Sequence, residues 1–184
     1  MRILLLAFAL PLLAWGQIAQ ANELTCKNGG SAIVENYRHA LSLLQSGQRL
    51  SIDDEHQVIH ELEVAVANQC RQAALVLVEI RINQAAALPS TESQHVRDEF
   101  DDKIYLLLVE ANKIGEGQFE LGNFYLTEGS RYYAPQKGLR ILRAAAKSGD
   151  QKSIELLVNI YENGILGVKL NKREAQFWKG KLKQ

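Results

Sequence analysis

The chain has 184 residues, and its 21 basic side chains balance 21 acidic ones. After the first 21 residues no segment is apolar enough to cross a bilayer, which disfavours a membrane-spanning protein. The two cysteines lack the CxxC spacing of thiol oxidoreductases, which disfavours that class of enzyme.

Residues 1–21 have the composition of a secretory signal peptide. A positive start at Arg2 precedes an apolar run over residues 3–15, and the small-x-small stretch AQA follows at residues 19–21. Because this run is shorter than the roughly 20 apolar residues that span a bilayer, we predict cleavage after residue 21 and not an uncleaved anchor. The mature protein, residues 22–184, is then expected in a bacterial periplasm, where nucleic acid is not an expected partner.

Cys26 and Cys70 are the only cysteines of the chain. An oxidising compartment favours a disulfide between them, and closing that loop would contribute roughly 4 kcal/mol in the chain-entropy description. Two separate buried thiols are the alternative, since a disulfide requires the two Cα atoms to approach within about 7 Å.

Apolar residues recur at helical spacing along the rest of the chain, and the alternation typical of strands is absent. Ser51 followed by acidic residues favours a helix start, and Pro89 lies in the widest break between helical patterns. Pro135 suits a first helical turn, and Asn171 with Glu174 has the spacing of a capping box. We predict helices over residues 31–46, 53–69, 71–84, 94–114, 118–128, 135–148, 151–163 and 172–182.

These helices predict an all-α protein. Paired antiparallel across short loops, they would form about four pairs, and stacked pairs of this kind build an α-solenoid. Internal repetition supports this arrangement, because at an offset of 36 residues Tyr161 aligns with Tyr125 and Leu157 aligns with Leu121. We therefore predict one helical repeat domain over residues 22–184.

The C-terminal part of this domain resembles a known repeat. Residues 144–178, AAAKSGDQKSIELLVNIYENGILGVKLNKREAQFW, resemble a Sel1-like repeat, a relative of the tetratricopeptide repeat. A preceding copy is visible in LGNFYLTEG, and the clearest repeats cover residues 111–184. The positions of the family pattern are filled by Gly149, Leu157, Tyr161, Gly164, Gly167, Val168, Ala175 and Trp178 in the last copy, and by Leu121, Gly122, Tyr125 and Gly129 in the copy before it.

The residues of the pattern have a packing explanation. A mid-helix glycine such as Gly122 costs about 1 kcal/mol relative to alanine, which the close approach of a neighbouring helix can offset. Tyr161 and Trp178 are expected to fill wider spaces between helix pairs. The last copy departs from the family pattern, because Val158 stands where the preceding copy has Gly122. No chemistry is needed to explain these positions.

Relatives with Sel1-like repeats act as scaffolds in envelope assemblies, and others are immunity proteins that neutralise secreted lipase toxins. The resemblance therefore implies a periplasmic scaffold or adaptor that binds another protein. An immunity protein that binds a secreted lipase-type effector is the alternative. A β-lactam-binding or β-lactam-hydrolysing enzyme, as described for some cysteine-rich relatives, fits less well. Those relatives carry a cysteine pair in each repeat, whereas this chain has one pair in total.

One helical segment has the spacing of a metal site. His56 and His60 stand four residues apart with Glu63 close behind, and such spacing can hold a divalent metal on one helix face. The apolar residues of the same segment predict that the histidines face outward, as ordinary solvated side chains do. Because no nucleophile elbow or phosphate-binding loop is present either, we predict no catalytic residue, no cofactor and no metal.

The charge is unevenly distributed. Residues 22–130 carry 8 basic and 17 acidic side chains, whereas residues 131–184 carry 12 basic and 4 acidic ones. The acidic and the basic part can both be solvated surfaces that keep the protein soluble. Alternatively, each part can attract a partner of opposite charge. In the second case the basic end would dock to anionic envelope material or to the acidic end of a second copy.

Two segments are candidate partner-binding sites. An exposed loop with arginine and aromatic side chains is a frequent binding site, although the tyrosines can equally fold back over the helix pair. The basic side chains of the last helix pair can contact a partner, or they can form the polar cap that ends a solenoid. The candidates are Arg131, Tyr132 and Tyr133 in the loop, and Lys169, Lys172, Arg173, Lys179 and Lys181 in the last pair.

Overall fold

The structure is a computed structural model that describes residues 26–48, 50–70 and 72–182. The signal peptide predicted over residues 1–21 lies outside this part of the chain. The described residues form eight helices and no strand, which confirms the predicted all-α class. The helices are α1 (Ser31–Gln45), α2 (Ile52–Ala67), α3 (Ala73–Ala86), α4 (Gln94–Lys113), α5 (Gln118–Phe124), α6 (Pro135–Lys147), α7 (Gln151–Asn163) and α8 (Lys172–Leu182).

The predicted helix starts depend on identifiable caps. The Ser51 hydroxyl accepts the Asp54 N–H at 3.1 Å, and the Asp54 carboxylate accepts the Ser51 N–H at 3.2 Å, which is a complete capping box. The Ser51 hydroxyl also donates to the Asp54 carboxylate at 2.6 Å, and this bond together with that of the Ser51 N–H holds the pKa of Asp54 below its usual value, because both favour the ionised carboxylate. Asn171 caps α8 in a similar way, accepting the Glu174 N–H at 3.1 Å.

Helix α5 is shorter than predicted. Apolar spacing predicts a helix over residues 118–128, whereas α5 ends at Phe124. After this point Leu126 N–H donates to the Asn123 carbonyl at 2.9 Å, so the chain tightens into a turn. The Tyr125 carbonyl accepts the N–H of Ala134 at 2.8 Å. This bond from the residue before α6 replaces the continuation of the helix.

The chain divides into two compact units, with the boundary between Thr91 and Glu92. The boundary lies two residues after Pro89, in the segment where the sequence predicts the widest break. In the first unit α1 packs on α2, and α2 packs on α3. Their core contains the fully buried side chains of Tyr37, Leu62 and Leu77.

The cysteine pair lies in this first unit. The Sγ atoms of Cys26 and Cys70 are at disulfide-bonding distance. Beside them the N–H of Asn28 donates to the Asn68 carbonyl at 3.2 Å, so the segment before α1 lies along the end of α2. Cys70 is almost completely buried, which shields the pair from solvent.

In the second unit each of the helices α4 to α8 packs on the next one in the chain. Two glycines permit the close α5–α6 crossing. A Cβ atom added to Gly138 would lie 2.6 Å from the Gly122 carbonyl oxygen, and one added to Gly122 would lie 2.8 Å from Cγ of Leu142. The neighbouring helix thus approaches Gly122 closely, as its mid-helix position predicts.

Three helices end in the same backbone arrangement. At each end a residue with positive φ donates its N–H three residues back, and the next N–H bonds five residues back. The positive-φ residue is Gln69 after α2 (φ 53°), Gly115 after α4 (φ 82°) and Gly149 after α6 (φ 94°). This helix end is therefore present once in the first unit and twice in the second.

Among the described residues, none of the helices combines the length and the apolar character that crossing a bilayer requires.

Candidate binding surface

Tyr125 and Tyr161 occupy matching places in two successive hairpins of the second unit. Both are buried, at 4% and 3% exposure. The carbonyl of Tyr125 accepts the Ala134 N–H at 2.8 Å, and the carbonyl of Tyr161 accepts the Asn171 N–H, also at 2.8 Å. In each hairpin the donor is the residue directly before the second helix. The same bond therefore closes both loops and fixes where their exposed residues lie.

Helix α6 supplies a cation to each tyrosine ring. The Lys137 ammonium lies 4.3 Å from the centroid of Tyr125, and the Arg143 guanidinium lies 5.6 Å from the centroid of Tyr161. The Arg143 side chain also donates a hydrogen bond to the Tyr161 hydroxyl. These two basic residues are thus engaged within the second unit.

The loop between α5 and α6 folds back on α4. The Arg131 guanidinium pairs with Asp102 at 2.9 Å, and the Tyr132 hydroxyl donates to the same carboxylate at 2.7 Å. The Tyr132 ring stacks on Tyr105 with centroids 4.2 Å apart. The hydrogen bond to Asp102, together with burial, raises the pKa of Tyr132 to about 12. Of the two interpretations that the sequence allows for Tyr132, the structure shows the one in which the tyrosine folds back.

Tyr133 points to a different part of the unit. A Cβ atom added to Gly167 would lie 2.5 Å from the Tyr133 hydroxyl, so Tyr133 rests on the loop between α7 and α8. Gly167 has φ +70°, a conformation that glycine adopts without strain. The missing side chain and the unusual backbone at Gly167 both permit this contact between two successive loops.

The two loops together expose apolar and basic side chains. Leu170 is 55% exposed, and Tyr133 and Ile165 are each more than one-third exposed. Gly164 lies against the backbone of Leu170, since a Cβ atom on it would be 2.9 Å from the Leu170 nitrogen. Lys169 and Lys172 are exposed beside Leu170 in the chain. We call this set the turn surface: Tyr133, Ile165, Lys169, Leu170 and Lys172.

The predicted basic residues of α8 divide between two settings. Lys179 forms an ion pair with Glu162, so its side chain contacts α7. Arg173 and Lys181 are exposed on either side of Phe177, which is 53% exposed although Trp178 beside it is buried. The Lys181 ammonium lies 6.0 Å from the Phe177 centroid.

His56 and His60 are both exposed on α2. The buried carboxylate of this helix is instead Glu61, which sequence reasoning missed. The His39 Nδ1 atom lies 3.0 and 3.2 Å from its two oxygens, and Gln57 Nε2 donates to it at 3.0 Å. The i, i+4 spacing of Gln57 and Glu61 is visible in the sequence, but His39 lies 22 residues away. This cluster links α1 to α2.

Within the described residues, no group of three or more His, Cys, Asp and Glu side chains could hold a metal ion. Comparison of the chain with protein-family models, with curated proteins and with solved structures gives no match.

Proposed function

We propose that the protein is an exported adaptor that binds another protein in a bacterial envelope assembly and performs no chemistry of its own. The signal peptide pattern of the sequence supports export to the periplasm. The cysteine pair at disulfide-bonding distance is compatible with an oxidising compartment.

The turn surface is the observation that carries this proposal. Its apolar side chains lie outside the core, whereas Tyr125, Tyr161 and Trp178 are buried in the two hairpins. Exposed aromatic and aliphatic side chains held by rigid loops are typical of sites that bind proteins. The lysines at 169 and 172 favour a partner with acidic side chains around an apolar patch.

We also propose that the second unit is built of Sel1-like repeats. The resemblance of residues 144–178 supports this assignment, as do the matching loop-closing hydrogen bonds of Tyr125 and Tyr161. Under this proposal the turn surface belongs to two successive repeats.

Site-specific photocrosslinking tests the adaptor role. A photoreactive residue at position 170 should crosslink one or a few envelope proteins in intact cells, whereas one at the exposed position 147 on α6 should not crosslink the same proteins. Recovery of identical products from both positions would contradict the proposal. A secreted effector captured from position 170 would instead support the immunity role.

A substitution pair adds a second readout. With the photoreactive residue moved to position 165, Tyr133→Ser and Leu170→Ser together should reduce crosslinking at least about tenfold, because both side chains would be central to the contact. Ile82→Ser changes a similarly exposed apolar residue in the first unit and should leave crosslinking unchanged. Equal crosslinking by the double variant, by Ile82→Ser and by the protein without these substitutions would show that the turn surface does not bind the partner.

A further inference from the structure

One row of side chains on α8 combines charge with an exposed aromatic ring. Arg173, Phe177 and Lys181 follow each other at four-residue intervals and therefore lie on one face of the helix, about 6 Å apart along its axis. All three are exposed, and Phe177 is the large apolar side chain at the centre. We call this set the α8 row.

Helix α4 carries a row with the same spacing and the opposite charge. Asp102, Leu106 and Glu110 also follow each other at four-residue intervals, and the central Leu106 is 62% exposed. The side chains of Asp102 and Glu110 are 43% and 47% exposed, although Asp102 pairs with Arg131 and Glu110 pairs with Lys113. We call this set the α4 row.

We infer that the α8 row of one copy binds the α4 row of a second copy. The two rows have equal spacing, so Arg173 and Lys181 can face Asp102 and Glu110 while Leu106 packs against Phe177. Each carboxylate would then be shared between the cation of its own copy and one of the second copy. Complementary charge selects this pairing over contact between two identical rows, which would place like charges together. Burial of the two apolar side chains supplies the favourable hydrophobic contribution.

This contact has a consequence for assembly. The first and last helices of the second unit carry different rows, so each contact leaves one row unused on each copy. A contact of this heterologous kind produces a ring if the rotation closes and an open chain of copies if it does not. The proposed self-association is separate from the turn surface and goes beyond the adaptor role.

Sedimentation of the purified exported protein tests the inference. The weight-average mass should rise with protein concentration at low ionic strength. It should fall towards the monomer at about 500 mM salt, where the Debye length is roughly 4 Å. A monomer at every concentration and at both ionic strengths would overturn the inference.

Two single substitutions test which surfaces meet. Phe177→Ser removes the centre of the α8 row, and Leu106→Ser removes the centre of the α4 row. Each should weaken self-association at least about tenfold. Both side chains are exposed, so circular dichroism should show folded proteins. Ile82→Ser, at a residue of similar exposure (47%), is the matched control and should associate like the unmodified protein.

A mixture of the two variants gives the decisive result. Phe177→Ser retains its α4 row and Leu106→Ser retains its α8 row, so an equimolar mixture should form a dimer that does not grow further. Two folded variants that stay monomeric when mixed would overturn the inference, and so would a control that associates as weakly as they do. Crosslinking from position 170 should persist in both variants, which separates this test from that of the adaptor role.

Discussion

Ser153 illustrates what a single buried hydroxyl costs. It is fully buried, and within the described residues its Oγ atom has no hydrogen-bond partner. Ser153→Ala removes this unsatisfied group and improves helix propensity, so the free energy of unfolding should rise by about 1 kcal/mol. Urea denaturation followed by circular dichroism measures the change. Ser148→Ala removes an exposed hydroxyl instead and should change stability by less than about 0.5 kcal/mol; an equal gain from both would contradict the explanation.

Gln69 stands at a position that glycine occupies elsewhere in the chain. Its φ of 53° corresponds to 82° at Gly115 and 94° at Gly149 in the two related helix ends. Because a side chain disfavours this conformation, Gln69→Gly should raise the free energy of unfolding by about 1 kcal/mol. Thermal denaturation measures this. The neighbouring change Ala67→Gly falls on the last residue of α2, where φ is not positive, and should lower stability; a loss from both changes would contradict the strain argument.

The sequence predicts individual residues well where their role is local. The caps at Ser51 and Asn171 follow from three-residue patterns and are present. The Glu61–His39 contact and the Asp102–Tyr132 contact join residues 22 and 30 positions apart, and no local pattern indicates them. For the same reason the loop tyrosines could be predicted as candidates, but not assigned to the inside or the outside.

At the scale of helices, the α5–α6 crossing depends on Gly138. A Cβ atom there would meet the backbone oxygen of Gly122, which cannot move without shifting the helix. Gly138→Ala should therefore lower the free energy of unfolding by about 2 kcal/mol, despite the better helix propensity of alanine. Gly180 in α8 has open space around its Cβ position, so Gly180→Ala should raise stability by up to about 1 kcal/mol. Urea denaturation should give changes in the free energy of unfolding of opposite sign for the two variants. A gain from both would show that the α5–α6 crossing has room for a Cβ atom at residue 138.

Helix existence was predictable because apolar periodicity is a local property, and all eight predicted helices are present. The residue at which α5 ends was not predictable. Leu126 continues the apolar pattern and is completely buried, although it lies beyond the helix. A hydrogen bond from Ala134 decides that boundary, and its donor is nine residues away from Tyr125. The α4 row was not predicted because Leu106 lies inside the continuous apolar run of residues 104–109, which hides its exposed position. The carboxylates four residues before and after it were the available signal.

At the scale of the whole molecule, the uneven charge of the sequence acquires a specific location. Many cations of residues 131–184 are engaged within the second unit, such as Lys137 and Arg143 over tyrosine rings and Lys179 with Glu162. The cations beside Phe177 and Leu170 differ from these because they are exposed next to exposed apolar side chains. Net charge alone therefore does not locate a binding site, and the two proposals place binding where exposed cations have exposed apolar neighbours.

The cysteine pair should stabilise one unit more than the other. Cys26 and Cys70 are separated by 44 positions and both lie in the first unit, so replacing both with serine should lower the stability of that unit by roughly 4 kcal/mol.

Trp178 is the only tryptophan after residue 21 and is buried in the second unit. Its fluorescence should therefore report a smaller shift on urea denaturation than circular dichroism of the whole protein reports. A reductant should reproduce the shift in the unmodified protein and leave the double variant unchanged. Equal shifts of both signals would show that the two units unfold together, and no shift in either would show that the cysteines are not joined.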